Sequence, residues 1–210
     1  MTTSKIEKLI IILLLLFMFP VASMAKGSQV QGPGIQVSGG IVPVYHFSIK
    51  PEGMSYKEYF FSGSSIQGLF NYRTGRITVR LGLTWNLLFR VASEEFVVIN
   101  ILSPALSIDF TFKKYFFGGV GLSGLFIPGK TKLDTNSYET KFDLWYSLLG
   151  GFRIPLPDNL SLIVELNYSL NVTHRQWSSG TDNTHTSFLA ETKFSHMFTV
   201  SSGVTFAFNW

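Results

Sequence analysis

The chain has 210 residues, no cysteine and a formal net charge of +4 at pH 7. The lack of cysteine excludes disulfide bonds, thiolate metal sites, a cysteine nucleophile and lipid attachment at a lipoprotein cysteine. The positive charge is small and forms no cluster, so the composition does not favour nucleic-acid binding. Because 46% of the residues are hydrophobic and 20 are phenylalanine, the chain must bury a large apolar surface or expose it to lipid.

Residues 1–25 have the pattern of a secretory signal peptide. Two lysines precede an unbroken apolar run at 9–19, and small residues at 23 and 25 suit cleavage by a signal peptidase. A single membrane-anchoring helix is less favoured, because the run is shorter than the roughly 20 apolar residues that a spanning helix needs. We therefore expect an exported protein with one mature domain, residues 26–210.

The rest of the sequence alternates between apolar and polar residues in eight stretches, the pattern typical of β-strands. The predicted strands are 35–49, 62–72, 75–91, 95–112, 115–128, 140–155, 159–173 and 193–210. Short turns (73–74, 113–114, 156–158) alternate with connections that are mostly longer (50–61, 92–94, 129–139, 174–192). This asymmetry is typical of outer-membrane barrels, with the short turns and both chain ends in the periplasm.

Which face of each strand meets lipid is not decided by alternation alone. In the third strand, odd positions from Ile77 to Phe89 are apolar, whereas even positions from Thr78 to Arg90 are polar or glycine, except Leu88. A soluble barrel would turn the apolar face inward. Aromatic residues collect near both strand ends, as in the interfacial girdles of membrane barrels, which favours apolar residues outside. The girdle residues are Phe47, Phe89, Phe96, Phe126, Phe142 and Phe194 near the longer connections, and Tyr72, Phe112, Phe116, Phe152 and Phe208 near the short turns.

With that orientation, a set of charged residues faces the lumen of the barrel. It consists of Arg80, Arg90, Asp109, Asp143, Arg153, Glu165 and Lys193. Opposite charges inside an eight-stranded barrel can pair, and side chains just fill such an interior. Glu165 is the only acid that we place mid-barrel. It is expected to pair with Arg80 or Arg153, and the sequence leaves both partners open.

Two places in the alternation carry further expectations. In the fourth strand Pro104 interrupts the ladder and Asn100 lies on the apolar side, so we expect a bulge or a register shift there. By parity, His46 is expected on the inward face near the longer connections and His196 on the lipid side.

The sequence Tyr-Phe-Phe-Gly-Gly-Val-Gly-Leu at 115–122, the segment 148–168 and the C-terminal Val-Ser-Ser-Gly-Val-Thr-Phe-Ala-Phe at 200–208 resemble the small outer-membrane barrel superfamily of the OmpA, OmpX and opacity type. The resemblance covers the second half by motif and the first half by pattern. Together with the alternation, it predicts an all-β, eight-stranded antiparallel transmembrane up-and-down β-barrel. Expected partners are outer-membrane lipids, lipopolysaccharide and the barrel-assembly machinery, which would recognise the C-terminal strand of a monomer.

Motifs for catalysis or cofactor binding are weak. The Gly-x-Gly-x-x-Gly at 119–124 would need a following helix to bind a nucleotide, and the alternation continues through it instead. The four histidines have no spacing that fixes a metal site, so no metal or other cofactor is expected. A Ser–His pair at 185–187 is compared with lipid A deacylases of similar fold. That family has Asn after the serine and a Glu further on, but Phe188 and Thr199 stand at those places here.

We therefore expect a non-enzymatic outer-membrane protein whose loops contact lipopolysaccharide or a host surface. Within the longest connection, Arg175 and Trp177 are the candidate binding residues, because an aromatic beside a guanidinium is a common binding anchor. An equally favoured interpretation of this connection is a disordered, solvated loop without a binding role. A narrow channel for small or apolar solutes is the second candidate function, and lipid A deacylation is the third.

Overall fold

The structure is a computed structural model that describes residues 31–51, 55–92, 95–113, 115–133, 136–139, 143–171, 176–181, 187–192 and 195–208. Among these residues no helix is long and apolar enough to cross a membrane. The predicted signal peptide lies outside the described residues.

Twelve strands make up the described fold. They are β1 (Gly32–Pro51), β2 (Lys57–Thr74), β3 (Ile77–Ala92), β4 (Glu95–Thr111), β5 (Phe116–Leu125), β6 (Lys130–Leu133), β7 (Asn136–Glu139), β8 (Asp143–Pro155), β9 (Leu160–Asn171), β10 (Gln176–Thr181), β11 (Ser187–Thr192) and β12 (Ser195–Ala207). Eight of them, β1–β5, β8, β9 and β12, pair antiparallel in that order, and β12 pairs with β1 to close the ring. The predicted eight-stranded antiparallel barrel is confirmed.

The other four strands lie in segments that the sequence predicted as loops. β6 pairs with β7 in one segment, and β10 pairs with β11 in the other. Strand β11 also pairs with Ile49–Pro51 of β1, and β10 pairs with β7. The expectation of loops at 129–139 and 174–192 was therefore wrong. Strand β1 extends five residues beyond its last pairing with the barrel strand β12, at His46, and β11 pairs there with backbone groups that would otherwise form an open edge.

Tight turns join the barrel strands at the predicted short-turn end. Asp158 and Asn159 both have positive φ angles, 58° and 60°, between β8 and β9. This is the geometry of a two-residue type I′ hairpin, for which Asp and Asn are suited because they tolerate the left-handed region. Gly75, with φ 57°, starts the turn between β2 and β3, which begins two residues later than the predicted turn at 73–74.

The outer surface of the barrel is an apolar belt. Large side chains that face outward remain about half exposed on every side of the ring; examples are Val37, Leu81, Val120, Leu148 and Val204. Such a surface is stable in lipid and unfavourable in water. The apolar face therefore lies outside, as the sequence predicted.

Aromatic residues border this belt at both ends. At the short-turn end, Phe112 stacks with Phe116 at a centroid distance of 6.3 Å, and Phe116 contacts Phe152 at 4.4 Å. At the other end Phe89 and Phe96 stack at 6.0 Å. Two predicted girdle members, at positions 142 and 194, lie outside the described residues. We call the two ends the periplasmic end and the outer end.

The expected irregularity is in a different strand. β3 and β4 pair in one unbroken register from Phe110 to Glu95, so Asn100 and Pro104 face outward without a shift. The bulge lies instead in β1, where pairing with both neighbours shifts by one residue between 41 and 45. Because side chains alternate with a period of two, one extra residue reverses the parity beyond it.

The β1 bulge overturns two facing predictions. Even residues such as Gln36 are buried before it, whereas Tyr45, Phe47 and Ile49 are buried after it. Phe47 therefore points into the lumen and does not belong to the girdle, and His46 faces outward. His196 faces outward, as predicted. Side chains alternate along β12, and those at 195, 197 and 199 are buried in the lumen, so the side chain at 196 lies on the outer face.

The orientation can be tested with Val164→Arg, which places a charge on the outer face of β9. We expect it to lower the free energy of unfolding by about 2–4 kcal/mol, the cost of an Arg near the bilayer midplane. Asn167→Ala, on the inner face of the same strand, should change it by much less. Reversible unfolding in lipid vesicles measures both, and the opposite ranking would contradict the facing described here.

Candidate functional site in the barrel lumen

Four charged side chains meet in the half of the lumen nearer the periplasmic end, the lower lumen. Arg80 of β3 pairs with Glu165 of β9, and its Nε lies 3.1 Å from Asp109 Oδ2 on β4. Arg153 of β8 binds the same Asp109 with two hydrogen bonds, Nη1 to Oδ1 at 3.2 Å and Nη2 to Oδ2 at 3.1 Å. We call this row, Glu165–Arg80–Asp109–Arg153, the ion chain.

The ion chain is almost fully removed from solvent. Its four residues are each 4% exposed or less. Taking isolated charges out of water costs several kcal/mol each, and only close opposite charges offset that cost. The alternation of sign along the chain supplies this compensation, and the two-point contact of Arg153 fixes its orientation.

Further groups complete the lower lumen. The ring of Phe117, 1% exposed, lies 5.5 Å from the guanidinium carbon of Arg80 and 4.8 Å from that of Arg153, within the range of cation–π contact. Arg153 also donates to Thr78 Oγ1 at 3.0 Å. A third guanidinium, Arg73, donates to Thr111 Oγ1 at 3.2 Å.

Of the seven lumen charges predicted from the sequence, the structure describes six, and four of these come together. Arg80, Asp109, Arg153 and Glu165 come together in the ion chain. Asp109 shares this level with Glu165, so Glu165 is not the only mid-barrel acid. The residue at 193 lies outside the described residues.

Arg90 and Asp143 belong to the outer end. The guanidinium of Arg90 lies 4.6 Å from the centre of the Tyr59 ring. Asp143 accepts hydrogen bonds from Asn171 Nδ2 and from the backbone N–H of Leu144. Parity predicted the face of these residues but gave no information on their height in the barrel.

The half of the lumen nearer the outer end, the upper lumen, is filled with apolar and aromatic side chains. Tyr45 is central to it, with ring contacts to Phe47 at 6.2 Å, Phe61 at 5.9 Å and Trp145 at 6.0 Å. The buried cluster, here called the apolar plug, comprises Val42, Tyr45, Phe47, Ile49, Tyr59, Phe61, Leu88, Val97, Ile99, Ile101, Leu125, Ile127, Leu133, Trp145 and Met197. The sequence predicted polar, charged and glycine residues on the inner face and did not predict this apolar plug.

Signals for the apolar plug were present in the sequence. Near the outer end several strands are apolar on both faces, for example at 96–99 and 144–146. Leu88, the exception in the third strand's alternation, is fully buried in the plug. Strands that lose alternation in this way are typical of segments buried on both sides.

Arg73 was missed for a simpler reason. The sequence interpretation placed it in a turn, but β2 continues to Thr74. Its odd parity, shared with Leu69 and Asn71, would have assigned it to the lumen.

A cavity of about 50 Å³, lined by polar and apolar side chains, lies between the plug and the ion chain. Small inward residues on β4, β5 and β8, such as Ser107, Gly121 and Ser147, leave the space open. Polar groups also line the cavity, among them those of Gln67, Asn86, Arg80 and Glu165. At roughly 10–15 Å³ for each water molecule, the cavity has room for a few waters.

The structure describes only some of the other candidate residues. Trp177 lies in β10, paired with Ala190 of β11, and position 175 lies outside the described residues. Ser187 begins β11, and position 185 lies outside the described residues. The Gly-x-Gly-x-x-Gly is part of β5. Within the described residues, no three His, Asp or Glu side chains form a group that could hold a metal ion.

The fold of this chain is similar to that of several solved structures. Neisserial surface protein A (NspA) has a TM-score of 0.51 and 15% identity, over 85% of this chain and 100% of that protein's chain. The outer membrane protein AlkL has a TM-score of 0.56 and 15% sequence identity, over 89% of this chain and 95% of the AlkL chain. OprG from Pseudomonas aeruginosa has a TM-score of 0.55 and 14% sequence identity, over 85% of this chain and 97% of the OprG chain.

The chain is a small outer-membrane β-barrel in fold. With its apolar belt and two aromatic borders, it is an integral protein of an outer membrane. No protein-family model matches the sequence, and no curated protein is significantly similar to it. The shared fold does not determine the activity, because function depends on sites that differ between barrels.

Proposed function

We propose that this protein is a non-conducting outer-membrane barrel that acts at the cell surface through strands β6, β7, β10 and β11. The observation that carries the proposal is the filled lumen. The apolar plug and the ion chain occupy its two halves. Hydrated ions would have to displace tightly packed aromatic rings at one level and charge pairs at the other.

The part of the molecule best placed to contact a partner is the sheet at the outer end. Strands β11, β10, β7 and β6 extend β1 as one hydrogen-bonded sheet. A sheet held in this way is a firmer support for binding residues than a solvated loop. We propose Trp177 and Arg175 as its binding anchors, and lipopolysaccharide or a host-cell surface as the partner.

Passage of a small solute is the second candidate, and one observation favours it. The cavity lies in mid-lumen between the two filled levels. If the plug or the ion chain moved, the cavity could become part of a narrow path through which a small solute crosses the barrel.

Conductance and surface binding separate the two functions. In planar bilayers the mature barrel should show no steady conductance. Bacteria expressing Arg175→Ala with Trp177→Ala should lose most of their binding to cultured cells and to vesicles containing lipopolysaccharide. The double variant should keep the heat-dependent gel mobility of a folded barrel.

Two results would contradict this proposal. Steady conductance by the wild-type barrel would support the channel, and unchanged binding by the double variant would remove the proposed anchors. Ser187→Ala tests the enzyme alternative, for which mass spectrometry would show the loss of a deacylated lipid A product. We expect identical lipid A in both strains.

A further inference from the structure

We propose that the mid-lumen cavity is a binding site for a small cluster of water molecules, held by Asn86 and Arg80 as a permanent part of the folded barrel. The site lies between the apolar plug and the ion chain. It is separate from the outer-end strands to which we assign the surface function, so either proposal can fail without the other.

Two buried side chains at the cavity have polar atoms without a partner. Asn86 of β3 is 0% exposed, and within the described part of the chain neither its Oδ1 nor its Nδ2 has a hydrogen-bond partner. Arg80 of the same strand is 1% exposed, and its Nη2 also has none among the described residues. Both residues line the cavity. Because buried polar groups nearly always bond to protein or to ordered water, we infer that the missing partners are waters in this cavity.

The wall of the cavity supplies further hydrogen-bonding groups. The hydroxyls of Ser147 and Ser169 lie 2.8 Å apart, and Ser169 Oγ donates to Asn167 Oδ1 at 3.1 Å. All three residues line the cavity. Hydroxyl and amide oxygens have two lone pairs each, so they can accept hydrogen bonds from water in addition to the bonds that they already make.

The size of the cavity suits several waters. Its volume of about 50 Å³ has room for roughly three to five molecules at about 10–15 Å³ each. Apolar side chains, such as those of Leu69, Leu149 and Met197, cover part of the wall. An entirely apolar cavity would stay dry, whereas a water in this one has the two or more polar partners that it needs.

The charges at the cavity favour a neutral guest over an ion. Among the described residues, Arg80 and Glu165 are the two charged ones that line it, and they pair with each other. Since their charges cancel, an added cation or anion would be a buried charge without a counter-charge, which is costly. Asn86 needs a donor for Oδ1 and an acceptor for Nδ2, and a water molecule can be either.

Crystallography tests the occupancy of the cavity directly. A high-resolution crystal structure of the mature barrel should show ordered water within hydrogen-bond distance of Asn86 and of Arg80 Nη2. Crystals pressurised with xenon give a complementary result, because xenon enters dry apolar cavities. We expect no xenon in this one. An empty cavity, or one that takes up xenon, would overturn the proposal.

Stability measurements test whether Asn86 holds the water. Ala105 of β4 also lines the cavity, so Ala105→Val should displace water with methyl groups. In an otherwise wild-type barrel, this change should lower the equilibrium constant for folding at least about fivefold, since it leaves Asn86 unsatisfied. In the Asn86→Leu background the same change should cost much less. Reversible unfolding in lipid vesicles measures both effects.

The comparison of backgrounds also separates displaced water from crowding. Leu keeps the branched shape of Asn and is no smaller, so steric strain from Ala105→Val would cost at least as much in the Asn86→Leu background. Heat-dependent gel mobility checks that each variant is folded. The proposal is overturned if Ala105→Val stabilises the barrel that contains Asn86, or if its cost is undiminished in the Asn86→Leu background.

Discussion

Arg80→Met should lower the free energy of unfolding by about 3–5 kcal/mol, the usual effect of removing one member of a buried ion pair. Arg80 contacts both acids of the ion chain, so its loss leaves Glu165 without its partner and Asp109 with Arg153 alone. Both carboxylates are almost fully buried. Equilibrium unfolding in urea with lipid vesicles measures the difference.

A second variant shows whether the uncompensated charge is responsible. Adding Glu165→Gln to Arg80→Met should recover part of the lost stability, because the acid that lacks a partner is then neutral. Arg76→Met, in the exposed turn beside β3, should be nearly neutral. If the double variant is no more stable than Arg80→Met, lost packing rather than unpaired charge explains the effect.

Trp145→Ala should destabilise the barrel by a similar amount, about 3–5 kcal/mol, through loss of buried surface and the cavity that remains. The side chain is 2% exposed and packs against Tyr45 in the middle of the apolar plug. The variant should still fail to conduct in planar bilayers, since the ion chain continues to fill the lower lumen. Unfolding in lipid and bilayer recordings measure the two effects.

Two tryptophan variants serve as controls. Trp85→Ala removes an outward ring that is 48% exposed, so its cost should be smaller. Trp145→Phe should be close to wild type, because it keeps most of the ring and removes an indole N–H that has no hydrogen-bond partner. Equal losses for Trp145→Ala and Trp85→Ala would show that the plug is not a packed core.

Most of the barrel could be predicted because alternation with a period of two and the lengths of connections are local signals. The number of barrel strands, the closure of the ring and the outward face of Val164 or Leu148 follow from them. The parity of the upper part of β1 could not be predicted, because a bulge depends on pairing with β2 and β12. The strands β10 and β11 depend equally on distant partners, since β11 pairs with the end of β1.

The sequence predicted which residues form the ion chain but not how these residues pair. Parity placed Arg80, Asp109, Arg153 and Glu165 on the inner face, yet which carboxylate meets which guanidinium depends on the stagger between strands 85 residues apart. The apolar plug was missed because the interior was assumed to be the polar face along its whole height. Residues apolar on both faces, as at 96–99, carried that information.

The β1 bulge also bears on how this barrel can change length during evolution. Deleting one residue from a regular barrel strand would exchange its lumen and lipid faces beyond the deletion. At 42–44 the strand already carries one residue more than its neighbours require. A deletion there would restore simple alternation and leave Tyr45 and Phe47 inside. Related barrels should therefore tolerate a one-residue difference at this place while the other barrel strands keep their length.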